Sequence, residues 1–416
     1  MPEQSRMRRR RWTLFGILAL MYILVYFYRV SLAVVAGDIS RELHLSPQEL
    51  GTLAGILFYV YAAAQIPLGP MIDRLGSRLV ISLSGVLTAI GGIVFSQAHS
   101  LAAAMSGRVL IGVGTASVLM ATLTIFSHWY DKQEFGRVSG FMVAVGNLGN
   151  LAGTAPLALA VAAIGWRSSF LAVGCLQVLI TLLVYAMVRD RPPGQAADHA
   201  EAHAATGLLA AWGEIFGRRD FWLLGVIAFA WYGNYLALQG LWGGPYLMEV
   251  LHFSREATGR TLMFTSLGFI SGSMVTDTIA RRVFKSYKRT LLAGQLVLLI
   301  FMSAFLGWAE LLPRPLLMAV FFVIGLAVSS GVMIYPVIRA MFPIRIVGTA
   351  LTSLNFFVLM GAAATQQLMG LIVGSFGRSP SGAPPSAFHA AFLLPLICLA
   401  VALALYAGAK DYTDKG

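Results

Sequence analysis

Trp12-Thr-Leu-Phe-Gly-Ile-Leu-Ala-Leu-Met-Tyr22-Ile-Leu-Val-Tyr26-Phe-Tyr28-Arg29-Val-Ser-Leu-Ala-Val-Val35 is the stretch from which the fold can be read. A helix of about 20 such apolar residues crosses the hydrocarbon core of a bilayer. One charge interrupts the run. Arg29 keeps its proton in any protein environment, and holding it at bilayer depth costs about 3 kcal/mol or much more. A residue that costly predicts a wet cavity or an anionic partner in front of it.

Outward from this run the composition agrees. In a chain of 416 residues, 58% hydrophobic and 12% charged content describes a polytopic membrane protein, not two or three soluble domains. Cys175 and Cys398 both sit in apolar runs, so no disulfide framework is implied. The net charge of +12 lies mainly in short loops and span ends, where it reads as a topology signal and not as a nucleic-acid surface. The basic cluster from Arg6 to Arg11 opens the first run as a signal peptide would. That run is too long for a signal peptide and lacks a small-residue cleavage site, so it is expected to stay as the first span.

Apolar runs between charged or Gly/Pro-rich breaks fall at about 12–37, 50–70, 80–98, 102–129, 138–163, 168–188, 220–246, 257–278, 290–309, 314–340, 347–374 and 387–409. The sequence therefore predicts an all-α membrane protein of twelve transmembrane helices in two pseudo-symmetric six-helix halves. An even number puts both termini on one side, and the excess of Lys and Arg on that side makes it the cytoplasm. A bacterial inner membrane is the expected location. Residues 1–188 form the expected N-terminal half, 189–219 a polar cytoplasmic linker and 220–416 the C-terminal half. His199 and His203 in the linker have helical i,i+4 spacing, but no carboxylate or thiol joins them, and no metal or other cofactor is expected.

The halves echo each other. Gly69-Pro-Met-Ile-Asp73-Arg74-Leu-Gly-Ser-Arg78 follows the second run, and Gly272-Ser-Met-Val-Thr-Asp277-Thr-Ile-Ala-Arg281-Arg282 follows the eighth. Each places an acid before a pair of bases at a short turn. Duplicated six-span halves are a recurrent transporter plan, with the substrate between them near mid-membrane.

The first of these turns resembles the signature loop of the major facilitator superfamily, Gly-x-x-x-Asp-Arg-x-Gly-Arg-Arg. Arg108-Val-Leu-Ile-Gly112-Val-Gly114 is similar to that family's fourth span, and Gly165-Trp166-Arg167-Ser-Ser-Phe170 to the turn between its fifth and sixth. The resemblance implies two halves that rock around a central cavity. Gly69, Asp73, Arg74 and Arg78 would latch them, with Asp277 as the second-half counterpart and Arg108 in a structural or coupling role. Gly69 suits a close approach of helix ends, and Asp73 a neighbouring helix's N-terminal dipole.

Tyr28-Arg29-Val-Ser-Leu-Ala-Val-Val-Ala, with Gly51 opening the second span, is similar to the first-span signature of the anion:cation symporters within that superfamily. Organophosphate exchangers also carry a basic residue near this place. The resemblance implies that Arg29 meets an anionic group of the substrate. Two departures matter. Tyr28 stands where the symporters carry an Asp, and Thr115 where many relatives carry a fourth-span acid. Without those carboxylates proton symport lacks an evident carrier, and exchange or facilitated diffusion is the expectation.

Tyr22, Tyr26 and Arg29 fall at i, i+4 and i+7 and share a helix face. Tyr61 and Gln65 of the second span, and Trp231, Tyr235 and Gln239 of the seventh, complete the expected substrate-binding set, with Trp242 on the same seventh-span face. Gly240 and Gly243-Gly244-Pro245 weaken that span's continuity where related carriers bend it. Asn147, Asn150, Thr154, Ser329, Ser330, Asn355, Gln366 and Gln367 are expected to bond helix to helix. His128 and His389 lie near span ends, where a solvated or internally bonded ring is the plainer reading.

A small organic anion is therefore the expected substrate: a mono- or dicarboxylate, sugar acid or organophosphate, with a monoanion the better match to one arginine. A counter-anion or a proton is the expected coupling partner, and the chain is expected to act as a monomer. Efflux of amphipathic drugs is the rival reading. Its usual fifth-span motif, Gly-x-x-x-Gly-Pro-x-x-Gly-Gly, is poorly met by Gly149-Asn150-Leu-Ala-Gly153-Thr154-Ala-Pro156. A non-transporting sensor would be expected to carry added cytoplasmic domains. No phosphate-cradling loop, zinc-ligand set or nucleophile motif points to an enzyme.

Overall fold

The computed structural model describes residues 2–130, 132–192, 208–342, 344–377 and 382–412. Gly69, with the side chains of Asp73 and Arg74, and His199 and His203 in the linker lie outside what it describes.

Helices α1 (Pro2–Val30) and α2 (Leu32–Glu42) form one rod broken at Ser31, and α3 (Pro47–Leu75) and α4 (Ser77–Ser96) follow. α5 (Leu101–Ala116) and α6 (Val118–Trp129) share a rod. α7 (Lys132–Gly146), α8 (Leu148–Ala152) and α9 (Ala155–Met187) run on until Gly165, whose φ of 78° and ψ of 163° divide α9 between two rods. After the short α10 (Leu208–Phe216), α11 (Arg219–Leu236) continues through wide π-type turns at Ala237–Trp242 and Tyr246–Val250, which flank α12 (Gly243–Pro245). α13 (Arg255–Ile279), α14 (Tyr287–Met302), α15 (Arg314–Ser329) with α16 (Ile334–Met341), α17 (Ile344–Gly374) and α18 (Pro385–Ala407) complete the chain.

Counted between these breaks, the described helices make twelve long rods besides α10, and they lie where the apolar runs place them. By length and apolarity alone, nine helices among the described residues qualify as spans, and Phe141–Met187, at 47 residues, holds two of the rods. Lipid-facing side chains such as Leu159, Leu182 and Ile397 are more than half exposed, as a hydrocarbon solvent requires.

The chain folds into two compact units, one of residues 1–44 and 56–196, the other of 45–55 and 197–416. In the first, α1 packs on α7 and α8 along a seam of small residues. A Cβ on Gly146 would lie 2.5 Å from the Tyr22 ring and 3.2 Å from that of Tyr26, and one on Gly149 would strike the Ile23 backbone. Only a bare backbone fits there. The buried rings of Phe95, Trp166 and Phe170 fill the space between α4 and the second part of α9, with Phe95 and Phe170 centroids 5.0 Å apart. Glu42 ion-pairs with Arg167 and accepts the Trp166 indole N–H at 2.6 Å, while Arg167 also donates to the Ala98 carbonyl. The Arg167 bond holds the Glu42 carboxyl below its ordinary range.

Each unit also closes a clasp between the start of its third rod and the segment beyond its last. In the first, Gly76 takes a positive φ of 84° and a Cβ there would lie 2.7 Å from an Asp190 carboxylate oxygen. Asp190 accepts the Arg78 amide at 2.7 Å, and the Arg78 side chain donates to the Tyr185 carbonyl and stacks over the Tyr185 ring. In the second, Lys285 takes a φ of 48°, Ser286 Oγ donates to Asp411 at 2.5 Å, and Lys288 Nζ donates to the carbonyls of Ala407 and Ala409.

Candidate functional site

The first unit gathers part of the predicted face into a cluster. The Arg29 guanidinium lies over the Tyr26 ring at 4.8 Å and over the Tyr61 ring at 4.9 Å, so α1 and α3 each contribute one wall. Cation–π attraction strengthens as water is removed, and Arg29 is only 9% exposed. The Tyr22 hydroxyl donates to that of Tyr26 at 3.4 Å, with the rings edge to face at 5.1 Å. Tyr22 is thus a second layer behind Tyr26. Arg29 occupies the last turn of α1, where the helix dipole favours a cation. Gln65 lies one turn beyond Tyr61 and is half-buried.

Arg108 is placed differently. Fully buried, it donates from Nη1 to the Tyr28 carbonyl at 3.0 Å. That carbonyl belongs to the final turn of α1, just before the break at Ser31. Arg108 therefore ties α5 to the break between α1 and α2. Tyr28 itself points to the side away from the cluster, its hydroxyl buried against Gly92. Thr115 donates to the Ile111 carbonyl at 2.7 Å. Among the described residues, Arg29 and Arg108 are the buried charged side chains, and no carboxylate is buried.

In the second unit the predicted face is committed to its own neighbours. The Trp231 indole N–H donates to the Val328 carbonyl at 2.8 Å, beside the break between α15 and α16. Gln239 donates to Ser266 of α13 at 3.1 Å, and Trp242 to the Gln366 carbonyl of α17 at 3.0 Å. Gln366 in turn donates to the Leu236 carbonyl at 2.9 Å, where the wide turn begins. Tyr235 stacks on Phe269 with centroids 5.5 Å apart and 21° between planes. Phe269 and Ser266 were not singled out from sequence, because nothing in a Phe or Ser on a neighbouring span marks its partner.

Of the latch residues, Arg78 is held in the clasp described above, and Asp277 pairs with Arg281 at 2.8 Å on the exposed end of α13. The helix-to-helix expectation is met by Ser329 with Thr276 (2.9 Å) and Ser330 with Gln295 (3.0 Å), whereas Asn150 bonds to Asn147 within its own rod (3.1 Å).

Comparison with known proteins fits this architecture. The profile of the Major Facilitator Superfamily matches residues 18–330. The chain belongs to that superfamily. Among curated relatives, it is 26% identical over 311 residues to a probable L-galactonate transporter of Escherichia coli K12, covering 70% of this chain and 68% of that protein. It is 28% identical over 293 residues to a probable sulfoacetate transporter of Cupriavidus necator, covering 67% and 66%. The chain thus spans about two thirds of the length of these relatives. Among solved structures, a D-xylose–proton symporter superposes with a TM-score of 0.78 at 15% identity, covering 97% of this chain and 98% of that one. A bacterial homologue of the human lysosomal transporter Spinster gives 0.77 at 19% identity, covering 95% and 96%. These likenesses establish the major facilitator fold, in which function resides in a transport path and not in an enzymatic centre.

Proposed function

We propose that this chain carries a small organic monoanion of the sugar-acid or short carboxylate and sulfonate class across the cytoplasmic membrane by alternating access, with Arg29 as the anion ligand. The observation that carries the reading is the guanidinium held between the Tyr26 and Tyr61 rings, with very little exposure to water. Stacking fixes the plane of the guanidinium, and a guanidinium so oriented suits charge-assisted, bidentate bonds to a planar anionic group. The relatives named for galactonate, sulfoacetate and hexuronate transport support that class. Substrate binding would neutralise Arg29 and lower the cost of closing apolar surfaces over it.

We further propose that transport proceeds by exchange or facilitated diffusion. Tyr28 and Thr115 supply no proton carrier at neutral pH, and no carboxylate is buried among the described residues. The test is uptake of radiolabelled anions into proteoliposomes with and without internal counter-anion. Counter-anion should stimulate uptake, and Arg29→Gln and Arg29→Lys should both cut its saturable part sharply, Arg29→Gln about 100-fold. Intact saturable uptake by either variant would refute the role of Arg29.

A further inference from the structure

The first helix carries a second set of arginines that the transport reading leaves unused. Arg8, Arg9 and Arg10 are exposed, and none has an anionic partner among the described residues. Arg11 is different. It turns inward, pairs with Glu134 at 3.2 Å, lies over the Tyr130 ring at 5.3 Å and gives its carbonyl to the Tyr130 hydroxyl. On the opposite side, Arg8, Arg9, Trp12 and Thr13 line an open depression of about 520 Å³.

What lies along the helix from this depression decides its occupant. Trp12 is 58% exposed and braced edge-on by Phe15, with centroids 5.9 Å apart. One turn on, Gly16 has nothing within 4 Å of where a Cβ would stand, and a further turn on Leu20 is 47% exposed. Trp12, Gly16 and Leu20 fall at i, i+4 and i+8, so they form one outward stripe with a shallow step at the glycine. Read along the helix axis, the order is guanidinium, indole, groove and apolar side chain. A membrane phospholipid has the same order: phosphate, ester region, acyl chain. A soluble phosphate or an acidic protein segment would engage the arginines and leave the stripe unused.

We infer that the depression lined by Arg8, Arg9, Trp12 and Thr13 binds the phosphate headgroup of an anionic phospholipid from the adjoining leaflet, with one acyl chain along Gly16 and Leu20. Arginine suits this because its planar fork grips phosphate oxygens in pairs, which a topology signal alone does not require. Thr13 donates to the Arg9 carbonyl at 3.0 Å and steadies the turn that carries the fork. The interfacial indole sets the depth of the headgroup.

The experiment is native mass spectrometry of the full chain in detergent, with phosphatidylglycerol and phosphatidylcholine of identical acyl chains as probes. A basic residue beside an anionic surface contributes about fivefold to binding. The wild type is expected to retain one phosphatidylglycerol with at least a tenfold preference, and Arg8→Ala/Arg9→Ala to lose that molecule. Should the alanine pair fail to insert, Arg8→Lys/Arg9→Lys keeps the topology charge and must still retain phosphatidylglycerol several-fold less well. Gly16→Leu fills the groove with every charge in place and should also lower retention several-fold. Equal retention of the two lipids, or of phosphatidylglycerol by wild type and both arginine variants, would overturn the site. No effect of Gly16→Leu would overturn the acyl groove. Displacement by excess inorganic phosphate would mean a free-anion site instead of a lipid site.

Discussion

On α1 the side chains of one face close around a guanidinium, whereas on α11 a face of similar composition commits its donors to neighbouring helices of its own unit. Both faces are aromatic and buried, and both belong to the expected substrate-binding set. The difference lies in what each polar group needs. Trp231 and Gln239 are neutral, and one carbonyl or hydroxyl satisfies the N–H that each offers. Arg29 carries a full charge, which two rings orient but do not neutralise. Burial of a neutral donor thus reads first as packing, and burial of a cation between rings supports the proposed anion site.

The largest expected effect tests that contrast directly. Arg29→Gln should lower kcat/KM for the best anion about 100-fold, the scale of a charge-assisted bond, while Gln239→Leu stays within about threefold of wild type. Comparable losses in initial-rate uptake would break the distinction between the two faces. Next come the walls of the guanidinium. Tyr61→Leu should raise KM about tenfold, and Tyr61→Phe, which keeps the ring, no more than about threefold. Equal effects would move the role of Tyr61 from its ring to its hydroxyl. Trp231→Phe should lower stability by about 1 kcal/mol in a denaturant titration, through the lost bond to Val328, and leave KM where it was. A raised KM with unchanged stability would assign Trp231 to the ligands. An inward proton gradient should stimulate uptake by no more than about twofold. Strong stimulation would demand a titrating group that the buried residues do not supply.

The smallest effect belongs to the Glu42–Arg167 pair, a half-exposed carboxylate with a charged partner. Its arginine holds the Glu42 carboxyl below the ordinary range, so the pair stabilises fully near neutral pH and fades as the pH falls through that lowered value. With the Glu42 side chain 49% exposed, solvent screens most of the gain. Glu42→Gln should therefore lower Tm slightly near neutral pH, by a difference that shrinks as the pH falls below the ordinary carboxylate range. A larger Tm difference at the lower pH would reverse the sign of this account.

The rods were legible because a span must be apolar along its length and a turn must not, so Gly76, Gly165 and the Pro/Gly-rich segment before Pro385 mark themselves. The cluster on α1 was legible for a similar reason: Tyr22, Tyr26 and Arg29 share a face by arithmetic alone. The wide turns of α11 were visible only as weakness at Gly240 and Pro245, since the sequence cannot say whether a helix breaks there or widens. The bond from Trp231 to Val328 was not legible at all. It needs an indole to lie where a Cβ on Gly331 would stand, and two residues 97 positions apart do not announce their pairing. Nor does the sequence mark Gly146, whose bare backbone seats the Tyr22 and Tyr26 rings.

The paired clasps have a meaning in time as well as in space. Arg78 emerges from the ribosome 112 residues ahead of Asp190, and Ser286 emerges 125 ahead of Asp411. At the usual pace of synthesis, about 5–20 residues per second, the start of each third rod waits roughly 6–25 s for the acid that secures it. Each unit is fastened only when its last rod has been made. The nascent chain can therefore rearrange its earlier rods through most of translation and lock them once in each half.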